Sequence, residues 1–273
     1  MPISINSNIS AVNTQRFVKK STEELESSFK KLSSGKRINS AADDAAGLAI
    51  ATDLLANAKA GDVASRNISD GVSAAAIADG GLQSASDITG RLSELATQAA
   101  NGTLSDEQRS SLNQEYQALS TELDRIAQTT EFNGQKLLTG QSSISVQAGT
   151  DGSSTSQISL PLPGVSTTSL SIANTDISTQ EGAKAALDAT KAATQSIASS
   201  RADIGATVQK LDTAASNLSV SNENQRAAES QIRDVDVASE TANLVKAKIK
   251  QQASVAVLAQ ANQQPNQVLK LLG

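Results

Sequence analysis

The chain has 273 residues, a net charge of −5, 38% hydrophobic residues and only 1% aromatics. It holds no His and no Cys, which excludes imidazole-assisted nucleophilic catalysis, disulfides and the usual zinc ligand sets. Its only rings are Phe17, Phe29, Tyr116 and Phe132; with each ring able to bury ~150–250 Å², a core here has to be Ala, Leu, Ile and Val between closely packed helices.

The opening stretch, Met1-Pro-Ile-Ser-Ile-Asn-Ser-Asn-Ile-Ser10, lacks the basic segment and apolar run of a cleavable secretory signal. No run approaches the ~18 apolar residues that would span a bilayer, so the expectation is a soluble chain with no membrane partner. Arg16, Lys19, Lys20, Lys30, Lys31, Lys36 and Arg37 are interleaved with Glu23, Glu24 and Glu26. That pattern reads as a solvated helix face and not as a nucleic-acid site.

Proline stands only at 2, 161, 163 and 265, leaving 3–160 and 164–264 free of the residue that breaks helix interiors. Apolar residues at helical spacing predict helices through both stretches. Val18, Thr22, Leu25, Phe29 and Leu32 form the first stripe, followed after a break by Leu48, Ala51, Leu55 and Ala58. Ile88, Leu92, Leu95 and Ala99 repeat it, and Leu112, Tyr116, Leu119, Leu123 and Ile126 make the next seam. Asn101-Gly102 predicts a turn, and Ser105 with Gln108 a capping box.

The middle of the chain turns to Ser, Thr and Gly. Ile144 and Val146, then Ile158, Leu160 and Leu162, alternate with polar residues around Asp151-Gly152, predicting a β-hairpin with a long connection. Residues 165–180 read as a surface loop. Beyond it Leu187, Thr190, Thr194, Ile197, Arg201, Ile204, Val208, Leu211, Ala215 and Leu218 follow a heptad that Thr and Arg interrupt, which argues against a simple two-stranded coiled coil. The last helix carries a stripe of Ala238, Ala242, Val245, Ile249, Gln252, Ala256 and Ala259, widened by Val237, Leu244, Val255 and Leu258; so wide a stripe calls for more than one partner helix.

The expected fold is mainly α: an elongated bundle of long helices, a rod, with a small β-hairpin region near 140–165. Both ends, 1–40 and 233–273, leave their stripes wet. Burying one Leu, Ile or Val contributes about 1.5–3 kcal/mol, whereas ordering each residue's backbone costs about 1–2 kcal/mol. The ends are therefore expected to become ordered against other copies of the chain. Chemistry is scarce. Asp43-Asp44 suit a helix N-terminus, Asp234 and Asp236 would diverge on a helix, and there is no phosphate-binding loop, so neither catalysis nor a cofactor or metal is expected.

Specific segments resemble bacterial flagellin. They are Ile5-Asn-Ser-Asn-Ile-Ser-Ala11, the run Leu32 to Ile50 through Ser-Ser-Gly-Lys-Arg-Ile-Asn-Ser-Ala-Ala-Asp-Asp, Arg66-Asn-Ile-Ser-Asp70 and Arg91-Leu-Ser-Glu-Leu-Ala-Thr-Gln98. Phe132-Asn-Gly-Gln-Lys-Leu-Leu138, Ser200-Arg-Ala-Asp-Ile-Gly-Ala206, Ile232–Glu240 and Leu258-Ala-Gln-Ala-Asn-Gln263 continue it in order. The resemblance covers about 1–150 and 180–273 and is that of a minimal flagellin lacking the outer variable domains. It implies a self-polymerising subunit of the motility filament, outside the cell, exported unfolded through a flagellar type III channel without a cleavable signal. It implies an inner assembly domain of terminal helices, residues 1–44 with 233–273, forming a coiled-coil layer in the polymer. Residues 45–232 would be an outer helical rod. Assembly contacts are expected from Ile5, Ile9, Val12, Leu25, Phe29, Leu32, Leu244, Ile249, Leu258, Leu269 and Leu272. Further implied partners are an export chaperone, the cap and the hook-junction proteins. A patch of Arg91, Leu95, Gln98 and Glu115 matches the family's recognition motif for Toll-like receptor 5, except that Gly90 stands where strong binders carry Gln. The alternative is a hook–filament junction protein with flagellin-like ends.

Overall fold

A computed structural model describes residues 7–272 apart from Ser142, with the side chains of 265–272 outside the description. Five helices are present among the described residues: α1 (Ile9–Ser34), α2 (Ala45–Ala99), α3 (Asp106–Thr129), α4 (Gln180–Arg233) and α5 (Val237–Leu272). Four short strands lie between α3 and α4: β1 (Glu131–Phe132), β2 (Gln135–Lys136), β3 (Ser143–Gln147) and β4 (Gln157–Pro161). The chain divides into two compact units, residues 1–57 with 223–273, and 58–222.

The helix ends follow the local chemistry of free backbone donors and acceptors. Asn8 caps α1, its Oδ1 accepting from Ala11 N at 3.0 Å, and Gly35 ends that helix with φ +69°. Asp44 Oδ1 accepts from Gly47 N at 2.9 Å at the start of α2, and Asp43 gathers the backbone N–H groups of Asn39 and Ser40. Ser105 and Gln108 form the expected reciprocal capping box at the start of α3. Asp236 caps α5 through Ala238 N and Ser239 N. Asp234 and Asp236 thus sit at the break between α4 and α5, and not on one helix. The separate apolar runs over 45–99 belong to one 55-residue helix, and α5 continues through Pro265.

The second unit has one main core. Its buried residues come from α2 (Leu82, Leu92, Leu95), α3 (Tyr116, Leu123) and α4 (Ile197, Ile204), together with Leu137, Leu138, Leu160 and Leu162. Aliphatic packing dominates, as the composition requires, and Tyr116 is its one fully buried ring. Burial raises the Tyr116 pKa, a shift opposed by its hydrogen bond with Thr175 Oγ1 at 2.8 Å. A smaller cluster of Ile68, Val146 and Leu211 extends the seam. All ten heptad positions from Leu187 to Leu218 are buried or half-buried. Side-chain ties of Asp79 with Arg201 and of Asp62 with Asn222 run between α2 and α4 in antiparallel order. Arg201, which interrupts the heptad, reaches Asp79 Oδ1 with Nε at 2.8 Å and also bonds Gln83.

β3 and β4 pair antiparallel with Ile144 opposite Leu160 and Val146 opposite Ile158, in agreement with the expected hairpin. The β1–β2 hairpin turns at Asn133-Gly134, where φ is +48° and +78°; these are the positive values that a two-residue turn of the primed type demands and that Asn-Gly supplies.

Residues 165–180 do not form a surface loop. Val165, Leu170, Ile172 and Ile177 are buried in the main core. The segment is tied down along α3. Asp124 Oδ1 accepts from Thr167 N at 2.7 Å, Asn113 Oδ1 from Ile177 N at 3.1 Å, and Gln117 donates to Thr175 O at 3.0 Å. Four apolar side chains among many hydroxyls are enough to anchor a turn-rich strap once a neighbouring helix satisfies its backbone.

Candidate assembly surface

The first unit pairs α1 with α5 in antiparallel order. Asn8 Nδ2 donates to Ala261 O at 2.8 Å, Gln251 Nε2 to Thr22 Oγ1 at 3.0 Å, and Lys250 Nζ to Glu24 Oε2 at 3.0 Å. Near the other end Val235 N donates to Gly35 O at 3.0 Å and Arg37 N to Arg233 O at 2.6 Å, around a bridge between Lys36 and Asp234. The Lys250 ammonium lowers the Glu24 pKa by its hydrogen bond, with Lys20 and Lys246 adding to the attraction. Of the basic cluster, Arg16, Lys19, Lys20 and Lys30 are exposed on α1 as expected, Lys19 meeting Glu23 at 3.9 Å; Lys31 is half-buried, and Lys36 and Arg37 lie beyond the helix end, where Arg37 Nη2 donates to Ile232 O at 2.5 Å.

The less exposed positions recur every three and four residues. On α1 they include Ala11, Thr14, Val18, Ser21, Leu25, Ser28 and Leu32; on α5, Leu244, Ala247, Gln251, Ser254, Leu258 and Ala261. This is a heptad seam, but one filled mainly by small and polar residues. Thr14, Ser21 and Ser28 are buried there; Thr14 Oγ1 donates to Ser10 O at 2.7 Å and Ser21 Oγ to Phe17 O at 2.8 Å, each within its own helix.

The large apolar residues point elsewhere. Ile9, Val12, Phe17, Phe29, Val237, Val245, Ile249, Val255 and Val257 are exposed, Phe29 at 65% and Ile249 at 60%. The stripe from Ala238 to Ala259 faces outward over its whole length. Of the assembly residues expected from the sequence, Ile9, Val12, Phe29 and Ile249 lie on this open surface, while Leu25, Leu32, Leu244 and Leu258 are half-buried toward the seam. Ile5, Leu269 and Leu272 lie outside the residues whose side chains are described. The seam of small residues was not anticipated from the sequence; the seven-residue recurrence of Ala11, Thr14, Val18, Ser21, Leu25, Ser28 and Leu32 was its available signal.

In the second unit, Arg91 and Glu115 meet. The Arg91 guanidinium donates to Glu115 Oε1 through Nη2 at 2.8 Å and Nε at 3.1 Å, and to Glu94 Oε2 at 2.9 Å. Glu115, then Glu94, raise the Arg91 pKa. Gln98 is exposed beside them in sequence, but Leu95 is 1% exposed and belongs to the core. Three of the four patch residues are accessible.

Among the described residues no group of three or more His, Cys, Asp or Glu is placed to hold a metal. No described helix is long and apolar enough to cross a membrane.

The family model of the bacterial flagellin N-terminal helical region matches residues 5–143, and that of the flagellin C-terminal helical region residues 187–272. A flagellin of Halalkalibacterium halodurans is 39% identical over 269 residues, spanning 98% of this chain and 99% of its own. A flagellar filament 30.7 kDa core protein of Treponema maltophilum is 39% identical over 285 aligned positions, with the same coverage. The crystal structure of Bacillus cereus flagellin, 32% identical, superposes with a TM-score of 0.50 over 56% of this chain and 88% of that one. With both terminal helical regions matched and relatives aligned almost end to end, the chain belongs to the bacterial flagellin family and is a structural subunit of a flagellar filament.

Proposed function

We propose that the chain polymerises through the outward face of its α1–α5 pair, residues 1–44 and 233–273 forming an inner assembly layer and 45–232 the outer part of the filament. The observation that carries this reading is the open apolar face of the pair: Thr14, Ser21, Ser28, Ala247 and Ala261 are the buried residues of its seam, flanked by half-buried Val and Leu, while Phe29, Ile249 and seven further large apolar side chains remain in water. An isolated protein gains nothing from that arrangement; a surface of this kind is stable when other copies cover it. The seam itself is poor in large apolar groups, so helical order at both ends is completed on polymerisation. The role is mechanical and requires no catalysis and no cofactor.

Family membership supports the rest of the route. The subunit leaves the cell unfolded through the flagellar type III channel, escorted by an export chaperone. It is placed outside the cell beneath a cap on hook-junction proteins. The end-to-end match to flagellins favours the filament subunit over a junction protein. Arg91, Gln98 and Glu115 offer Toll-like receptor 5 an accessible charged patch. With Leu95 inside the core and Gly90 contributing no side chain, recognition rests on those three, and Arg91→Ala should reduce signalling by the soluble monomer.

The test is seeded polymerisation followed by electron microscopy. The full chain should form long uniform filaments, and deletion of 233–273 should abolish them. Persistent monomers, or short caps confined to pre-existing hook ends, would refute the filament reading. Helical, protected amides throughout 9–34 and 237–264 in a dilute monomer would refute ordering on assembly while leaving polymerisation standing.

A further inference from the structure

The α2–α4 seam of the second unit ends in a polar contact that aliphatic packing does not require. Asn222 is 8% exposed, and its Nδ2 donates to Asp62 Oδ1 at 3.3 Å. Its Oδ1 is buried without a hydrogen-bonding partner of the ordinary kind and lies against Gly61. A Cβ on Gly61 would stand 2.7 Å from both Asn222 Cγ and Nδ2, and nearer still to Oδ1. The Gly61 Cα–H that replaces that Cβ therefore points at the amide oxygen, the arrangement of a weak Cα–H···O contact between helices. One side chain thus reads two consecutive positions of α2, a donor bond to Asp62 and a notch at Gly61.

The neighbours of Gly61 make the contact selective. One helical turn to either side stand Asn57, Ala58, Ala64 and Ser65, each with a Cβ where the amide would have to fit. At this end the seam is short of large groups: Ala58 and Ala64 of α2 are buried and Ala214 and Ala215 of α4 half-buried beside Leu218, whereas Ile68, Leu82, Ile197, Ile204 and Leu211 stand farther along. Small residues leave register weakly specified, and a single buried Asn is an established way of specifying it in helical pairs.

We propose that Asn222 locks the register of α4 against α2, with Gly61 as its receptor. The lock costs stability, since it buries a polar amide whose oxygen has only a weak partner, and returns a single alignment of the two helices.

The chain has no cysteine, so spin labels can be placed at will in the full-length protein. Ser84→Cys on α2 and Asn217→Cys on α4 are both exposed and lie far apart along the helix axis, so that axial sliding changes their separation directly. Pulsed dipolar spectroscopy of the otherwise native chain should give one narrow distance. Asn222→Leu and Asn222→Ala should keep native helix content by circular dichroism and show a second population displaced by about 5 Å, one helical turn. Gly61→Ala should disrupt the native distance, and adding Asn222→Ala should restore folding without restoring a single register. A single unshifted distance in both Asn222 variants would overturn the proposal. So would loss of fold in both, which would make Asn222 a stability residue, or failure of the double variant to recover from Gly61→Ala.

Discussion

Phe29→Ser and Ile249→Ser separate monomer stability from assembly. Both side chains are exposed, at 65% and 60%, so their replacement should leave the monomer within about 0.5 kcal/mol of the parent, as for other surface substitutions. Full burial of a Phe or Ile contributes about 1.5–3 kcal/mol. Covering the exposed three-fifths in a polymer is then worth about 1–2 kcal/mol per residue, and removing both about 2–4 kcal/mol per subunit. At about 1.4 kcal/mol per factor of ten, the critical concentration should rise roughly 5- to 30-fold for each single variant. The double variant should raise it by one and a half to three orders of magnitude. Sedimentation of seeded polymer measures the critical concentration, and urea denaturation followed by circular dichroism measures the monomer. The reasoning fails if the critical concentration is unchanged, or if the monomer loses as much stability as the polymer, since the residues would then be packed within one chain.

Three further outcomes follow from individual contacts. Asp124→Ala leaves Thr167 N without its acceptor and should cost about 1–3 kcal/mol, with faster amide exchange confined to 164–178. Arg109 is buried and donates to Ala99 O at 2.9 Å and Asn101 O at 3.0 Å while meeting Asp106. Arg109→Met removes the side-chain donor from both carbonyls, Asn101 O keeping only the long bond from Leu104 N at 3.4 Å, and a loss of about 2–4 kcal/mol in urea denaturation is expected; no loss would mean that water replaces the guanidinium. The pH prediction concerns Glu24, whose pKa is lowered chiefly by its hydrogen bond with Lys250. A depressed carboxyl stabilises the α1–α5 pair above its unfolded pKa, and that contribution disappears as pH falls through the folded value. Carboxyl NMR shifts should place Glu24 below the ordinary range in the native chain and return it toward that range in Lys250→Met. An unchanged midpoint would show that the pair is not formed in solution.

Much of this molecule was legible along the chain because its signals are local. A capping box needs only Ser105 and Gln108, and a hairpin only alternation around a turn. The aliphatic character of the core follows from four rings in 273 residues. The ordered series of terminal motifs pointed to the flagellin family, since each motif is a contiguous run.

What the sequence could not decide was which face meets which. Helical periodicity reports that a stripe exists, and α5 carries two: one from Ala238 to Ala259 through Val245 and Ile249, and one from Leu244 to Ala261 through Ala247, Gln251, Ser254 and Leu258. Only the folded pair places the second against α1 and leaves the first outside, because the choice rests on which stripe complements Thr14, Ser21, Leu25 and Ser28 of a helix more than 200 positions away. Leu95 reads equally as motif and as core until α3 and α4 close over it. Residues 165–180 look like loop by composition, since four apolar side chains are too few to show a period; their burial depends on Asp124, Asn113 and Gln117, residues 40 to 70 positions away. Long-range partners of this kind leave no local pattern, and they are what the tertiary structure alone decides.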